Sequence, residues 1–227
     1  MVTGSRRGVG RAIANHFLAG GAHVVGISRG ESTCDHVNYW HIRADLANPA
    51  SISEVFKGLK EAVSHLDILV NCAAVLTSQY ALIMPQASAQ AMVNVNLLAP
   101  FLISREAAKW MRKTKWGRII NISSMAVSLE PVGDSMYAAT KAGLVTMTNV
   151  MAKEFAAINV TCNTLAISAI ETEMLRQIPR AKIDRIVAAL PLQRLAIDDD
   201  ILNVVDFFAS QRSGYITAQT VYLGGIS

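Results

Sequence analysis

The sequence predicts a three-layer α/β fold, a doubly wound parallel sheet of about seven strands with helices on both faces. Three observations predict it. Short apolar runs alternate with longer helical patterns along the whole 227-residue chain, the signature of βαβ units. Runs such as Ile68-Leu69-Val70 are continuously apolar, as in strands covered on both faces. The first strand-to-helix junction is a glycine-rich turn.

Met1-Val2-Thr3 is the end of a first strand. Arg11 to Ala19 is a helix closed by Gly20-Gly21. His23 to Ser28 is a strand rich in β-branched residues, and Asn38 to Arg43 is the third. The interval Gly30 to Val37 is near the lower limit for a parallel crossover, so no full helix is expected there. Ser51 to His65 is helical behind Pro49, and Ile68 to Val70 is a buried strand. Ser88 to Lys113 is a long apolar helix in which Pro100 predicts a kink. Arg118 to Ser123 is a strand, Ser135 to Ala157 a helix rich in Ala and Met, and Asn159 to Leu165 another strand. Helical segments follow around Met174 to Arg176, Ile183 to Leu190 and Asp198 to Ser210, and Thr220 to Leu223 is the last strand. With no linker between halves, residues 1–227 read as one domain.

Hydrophobic residues make up 52% and charged residues 17%, which excludes global disorder. A mean hydropathy of +0.31 raises the membrane question. Phe155 to Ile170 is free of charge, but it is shorter than the ~20 residues of a span. It also carries Asn159, Thr161, Asn163, Thr164 and Ser168, so it reads as buried core. No basic-then-apolar leader opens the chain, because Gly4, Gly8 and Gly10 interrupt it. A cytoplasmic location with no membrane partner is expected. Cys34, Cys72 and Cys162 form no disulfide framework or CxxC pair, and the histidines show no ligand spacing, so no metal is expected. A net charge of +4 is too mild to argue for nucleic acid. The densest basic cluster, Arg112, Lys113, Lys115 and Arg118, has two readings: a solvated helix end or a docking surface for an acidic partner.

The turn Thr3-Gly4-Ser5-Arg6-Arg7-Gly8-Val9-Gly10 stands between a strand and a helix. Glycines there let a backbone approach a pyrophosphate that rests on the helix N-terminus. A tight turn without a ligand is the alternative. An acid at the end of the second strand would bond a free ribose 2′-hydroxyl and repel a phosphate. The chain has Ser28-Arg29 there, with Arg6 and Arg7 nearby. Cations suit a 2′-phosphate, so NADP(H) is favoured over NAD(H).

Tyr137 and Lys141 share one helix face, one turn apart. A phenol near pKa ~10 is a poor acid–base group at neutral pH unless a cation lowers it. Lys141 is placed to do so. Ser124 falls at the end of a strand, the carboxyl edge where open α/β sheets bind ligands.

Taken in order, these residues resemble the short-chain dehydrogenase/reductase superfamily of classical type. The likeness rests on Thr3 before Gly4-x-x-x-Gly8-x-Gly10, on Asn71-Cys72-Ala73-Ala74 for that family's Asn-Asn-Ala-Gly, and on Asn96, Ser124, Tyr137 and Lys141. It covers nearly the whole chain. It implies a Rossmann fold and a dinucleotide held by Gly4, Ser5, Arg6, Arg7, Gly8, Val9 and Gly10. Further contacts are implied from Ser28, Arg29, Asp45, Leu46, Asn71, Ala73, Ile170 and Thr172, and from Tyr137 and Lys141. The implied reaction is hydride transfer to a carbonyl carbon. Tyr137 protonates the oxygen, Ser124 bonds it, and Lys141 lowers the tyrosine pKa and orients the ribose. Asn96 holds a water that links Lys141 to solvent. Ser123, one residue off the spacing, is scaffold.

Gly117 to Ser124, Pro191 to Leu195 and Gly214 to Thr220 resemble the bacterial 3-oxoacyl-[acyl-carrier-protein] reductase branch. That implies fatty acid biosynthesis and a ketone substrate, either a small molecule or a carrier-bound thioester. It also implies an acidic acyl carrier protein at the 112–118 cluster, a substrate lid near residues 170–190, and a homotetramer built on the two long helices. The alternatives are a reductase of another small alcohol, sugar or diketone, and a nucleotide-binding protein without turnover. The chain departs from the family pattern at several positions. Ile167-Ser168 stands for Pro-Gly, Cys72 and Ala74 stand for Asn and Gly, Ala74 adding a methyl near the adenosine, and only Met1 and Val2 precede Thr3-Gly4.

Overall fold

A computed structural model describes residues 1–171, 175–177 and 180–225. Thr172 and Met174 lie outside the described residues. Seven parallel strands form one sheet: β1 (Val2–Thr3), β2 (Val24–Ser28), β3 (Tyr39–Arg43), β4 (Ile68–Asn71), β5 (Gly117–Ser124), β6 (Val160–Ile167) and β7 (Thr220–Tyr222). Their order across the sheet is β3-β2-β1-β4-β5-β6-β7. The chain winds outward one way from β1 and then the other way from β4. The crevice between the carboxyl ends of β1 and β4 is the switch point where such sheets bind ligands.

Side chains alternate along each strand between two cores. Ile119 of β5 faces a core shared with α2 (Ser51–Ala62), α4 (Ala99–Thr114) and α6 (Ser135–Phe155). Its neighbours Ile120 and Ile122 face a core shared with α1 (Gly8–Ala19) and α8 (Asp198–Ala209). Both faces are therefore covered, which accounts for the apolar strands and the high hydropathy. No helix joins β2 to β3, as the short interval predicts. Instead that loop is pinned to α1: Arg11 donates to the Thr33 carbonyl at 2.8 Å, and the Thr33 hydroxyl donates to the Arg6 carbonyl at 2.9 Å.

Several boundaries differ from the sequence reading. Helix α1 begins at Gly8 rather than Arg11, so the last glycines of the turn form its first turn. Pro100 does not break its helix. Helix α3 (Gln86–Val93) passes through a π-helical turn, Asn94–Leu98, into α4, where Pro100 occupies the first turn. Widening the helix there accommodates a residue with no N–H to give. A short α5 (Ala126–Leu129) after β5 carries no sequence signal, and α7 spans Arg180–Ala189.

The charge-free run that bears on the membrane question is Ile68 to Ser104, which is longer than Phe155 to Ile170. It leads into the helix Gln86–Thr114, which by length and composition alone could cross a membrane. Its Ala99, Ile103, Ala107 and Met111 pack instead on the sheet.

The basic cluster also changes. Arg118 is buried, not solvated. Its guanidinium lies 4.5 Å from the Trp116 ring centroid and donates to the carbonyls of Gly117 (2.9 Å) and Ser210 (3.2 Å). It ties the start of β5 to the end of α8. It also lies six residues before Ser124, about 20 Å along the strand at ~3.3 Å per residue. The cluster therefore sits at the opposite edge of the sheet from the switch-point crevice.

A buried polar chain crosses the sheet from β4 to α6. Asn71 donates to Ser104 Oγ at 3.0 Å and to Asn121 Oδ1 at 2.8 Å. Asn121 donates to Thr148 Oγ1 at 2.8 Å, and Thr148 donates to the Leu144 carbonyl at 2.6 Å. Replacing Thr148 by Val strands the Asn121 amide. Chemical denaturation should show a loss of about 1–3 kcal/mol, with an unchanged denaturant slope.

Candidate active site

A cleft of about 490 Å³ lies over the carboxyl ends of the central strands. Its floor is the glycine turn. Gly4 has φ +72° and Gly8 φ +55°, in the region that favours glycine. A Cβ on Gly10 would stand 2.4 Å from the Gly4 carbonyl oxygen, and one on Gly4 would stand 3.0 Å from Ala73 Cα. Thr3 Oγ1 accepts from the N–H groups of Cys72 and Ala73, each at 3.0 Å, and so locks the turn to the loop after β4. The side chain of the N-cap residue, Arg7, makes no capping bond to α1, and no acid occupies the helix's first turn. The helix thus presents its N-terminus to the cleft, where an anion is favoured.

Of the residues singled out in the turn, Gly4, Arg6, Arg7, Gly8, Val9 and Gly10 line the cleft. Ser5 does not. It is buried beneath the turn, and its hydroxyl pairs with Tyr39 Oη at 2.9 Å. Gly26 makes room for that pair, since a Cβ there would meet both oxygens. Ser28, Arg29, Asp45 and Leu46 line one end of the cleft. Asp45 accepts from the Ala47 N–H at 3.0 Å. Ala73 and Ile170 line it further along. Asn71 is turned away into the buried polar chain described above.

Ser124 closes β5, and Tyr137 and Lys141 come forward from α6 to meet it. The Ser124 hydroxyl accepts from the Ala126 N–H at 3.1 Å and stands close enough to the Tyr137 phenol to favour its ionised form. Lys141 Nζ donates to the Ile122 carbonyl at 2.7 Å and lies 5.9 Å from the Tyr137 ring centroid. Ser123 holds the helix from behind, donating to the Lys141 carbonyl at 3.1 Å.

Burial sets the charge states. It pushes Tyr137 up to about 12, against the lowering hydrogen bond from Ser124 and with a smaller upward push from the Asp134 carboxylate. It pushes Lys141 down to about 8. The expectation that Lys141 lowers the tyrosine pKa is therefore not met by the protein alone. A desolvated site disfavours phenolate and ammonium alike, and the lysine is turned onto a carbonyl. Cys72, at the same wall, is held up at about 12 by burial and stays a neutral thiol.

Asn96 is wholly buried and does not line the cleft. Its side chain accepts from the Val75 N–H and donates to the Val75 carbonyl, both at 2.9 Å, and donates to Thr140 Oγ1 at 3.2 Å. It clamps the loop that forms one wall. Its carbonyl lacks an α-helical partner, because the residue four positions on is Pro100.

Sequence reasoning missed Thr140, which steadies Asn96 and donates to the Tyr137 carbonyl at 2.8 Å. Its place one residue before Lys141 was the available signal. It also missed the apolar wall of Leu76, Leu129 and Pro131, which comes from the loop after β4, the end of α5 and the residues just beyond it, and has no periodicity to betray it.

A sequence profile of the family described as Enoyl-(Acyl carrier protein) reductase matches residues 4–226. The chain belongs to this family, within the short-chain dehydrogenase/reductase superfamily of oxidoreductases. Among relatives, 3-oxoacyl-[acyl-carrier-protein] reductase FabG of Aquifex aeolicus is 34% identical over 235 residues, covering 99% of this chain and 95% of that protein. Its counterpart from Escherichia coli (strain K12) is 32% identical over 231 residues, with the same coverage. Among solved structures, a 4-hydroxyisoleucine dehydrogenase complexed with NADH and succinate superposes with a TM-score of 0.92 at 26% identity, covering 99% of this chain and 97% of that one.

Replacing Asn96 by Ala leaves both backbone groups of Val75 without partners. Amide exchange at Val75 should accelerate more than tenfold while the strands of the sheet keep their protection. Unchanged exchange there would contradict the clamp.

Proposed function

We propose that this chain is an NADPH-dependent reductase that converts a ketone to a secondary alcohol, with a 3-oxoacyl thioester on acyl carrier protein or coenzyme A as substrate. The observation that carries this reading is that Ser124, Tyr137 and Lys141 converge in one cleft with the glycine turn. The names of the relatives support the substrate class.

The residues present fit a dinucleotide. Glycine at positions 4 and 10 lets the turn fold tightly on itself and against the loop after β4, since a Cβ at either would strike backbone, and the N-terminus of α1, whose N-cap side chain makes no capping bond, suits a pyrophosphate. Ser28, Arg29 and Arg6 at the far end suit a 2′-phosphate, with no acid at the end of β2 to repel it. When bound, the nicotinamide supplies the hydride that reduces a carbonyl carbon. The protein does the rest. Tyr137, kept protonated by its raised pKa, donates its proton to the carbonyl oxygen as general acid. Ser124 bonds the same oxygen and stabilises its developing charge. Lys141, charged below about 8, holds the ribose and replaces the tyrosine proton. The Asn96 carbonyl, whose α-helical donor is missing at Pro100, holds the water that connects Lys141 to solvent.

Residues 1–227 act as one dinucleotide-binding domain in this reading. Residues 170–190 cover the substrate, with Leu175 and Ile186 already at the cleft wall. Exposed Phe101 and Val150, on α4 and α6, suit a homotetramer built on those helices. A cytoplasmic location belongs to this reading. Arg112, Lys113 and Lys115 keep the solvated-helix-end reading, because they lie at the wrong edge of the sheet to deliver a thioester into the cleft.

Tyr137→Phe should bind NADPH as the parent does and lose about 10²–10⁴-fold in turnover of an acetoacetyl thioester, followed at 340 nm. Retained turnover would remove Tyr137 from its role. The free-enzyme profile of kcat/KM for reduction should be flat through neutrality. It should then fall above pH about 8 as Lys141 loses its proton. A profile that is flat to pH 10 would contradict the assignment.

A further inference from the structure

The adenosine end of the cleft has a second layer that the catalytic reading does not use. It is built on β3, the edge strand. His41 and Arg43 are two apart, so they share one face of that strand. Each holds a carbonyl of the turn after β2: Arg43 Nε donates to the Arg29 carbonyl at 2.9 Å, and His41 Nε2 donates to the Gly30 carbonyl at 2.9 Å. The other ring nitrogen, Nδ1, lies 3.3 Å from Tyr39 Oη, which in turn pairs with Ser5 beneath the glycine turn. The only acceptor at Nε2 that cannot itself donate is the Gly30 carbonyl. This fixes the proton on Nε2 and leaves Nδ1 to accept from Tyr39.

Ser28 shares this arrangement. Its hydroxyl donates to the same Gly30 carbonyl at 3.1 Å and lies 3.3 Å from His41 Nε2. The Gly30 carbonyl therefore has two donors, and only one of them, Ser28, lines the cleft. The Arg6 side chain lies over Gly30, with Nε 3.0 Å from where a Cβ would stand. A partly buried carbonyl stripped of its donor carries a desolvation cost. With His41 in place, Ser28 can leave without incurring that cost.

We propose that His41 is a positioning residue for the ribose 2′-phosphate. It holds the Gly30 carbonyl so that the Ser28 hydroxyl is released to a phosphate oxygen. The inference rests on the NADPH reading and adds to it a named residue that touches no ligand. Without His41, Ser28 stays committed to Gly30, and the phosphate loses one charge-assisted hydrogen bond.

Calorimetric titration with NADPH and with NADH tests this on the full chain and its variants. Ser28→Ala and His41→Leu should each raise the Kd for NADPH about tenfold and leave that for NADH within about twofold. The double variant should be no worse than Ser28→Ala, since both changes remove the same bond. If His41→Leu impairs folding, His41→Asn, too short to reach the Gly30 carbonyl, should show the same loss. His41→Gln, which keeps a donor there, should bind NADPH like the parent. The inference is overturned if the ratio of the two Kd values is unchanged on removing His41, if both Kd values rise together, or if the two single effects multiply. A parent protein that binds neither dinucleotide, or prefers NADH, overturns the NADPH reading itself and the inference with it.

Discussion

A lysine ammonium buried behind the carboxyl end of β5 is the constraint on which the site depends. Lys141 is almost fully buried, and among the described residues its ammonium is compensated by the Ile122 carbonyl at 2.7 Å. Taking an ammonium out of water is costly, so its pKa falls to about 8. The same dry environment raises the adjacent phenol to about 12. In water the two groups titrate close together; in the fold the lysine gives up its proton well before the tyrosine. A tyrosine that retains its proton is suited to donate it, and a lysine poised near neutrality is suited to restore it.

Around that pair, the strands and helices serve to fix distances. Ser123 and Ser124 are successive residues at the end of β5, so they point to opposite sides. One holds the Lys141 carbonyl and the other stands beside the phenol. The chain Asn71–Asn121–Thr148 fixes α6 against the sheet one to two turns beyond Lys141. Asn96 and Thr140 tie the loop after β4 to the same helix. On the other side of the switch point, Thr3 joins that loop to the glycine turn. Helix α6, the β4 loop and the turn are thus held in register by side-chain hydrogen bonds rather than by apolar packing alone.

What was legible in the sequence is what short range encodes. Tyr137 and Lys141 are one turn apart on one helix, so their meeting needs no tertiary knowledge. The seven strands follow from apolar runs bounded by helices, and the missing helix between β2 and β3 follows from the length of the interval. The glycine turn announces itself because Gly10 and Gly4 must touch. What escaped depends on partners remote in sequence. Ser5 turns inward because Tyr39 reaches it over Gly26. Arg118 looks like one more cation in a basic run, but Trp116 and the carbonyls at the end of α8 bury it. Asn96 marks the helix before Pro100, yet its clamp on Val75 and the π-helical turn around it leave no local pattern. The expected effect of Lys141 on Tyr137 is absent from the protein alone for a different reason. Sequence shows proximity but not the loss of water, and the loss of water dominates both groups.

In the proposed reaction this cleft transfers hydride from a reduced nicotinamide to a carbonyl carbon, with protein groups supplying only the proton. Its most direct test is a single turnover of an acetoacetyl thioester with NADPH carrying deuterium at both C4 positions, followed by mass spectrometry of the product. One deuterium at the carbinol carbon, in ordinary water, is the predicted result. Absence of reduced product, or a carbinol hydrogen drawn from solvent, would contradict it.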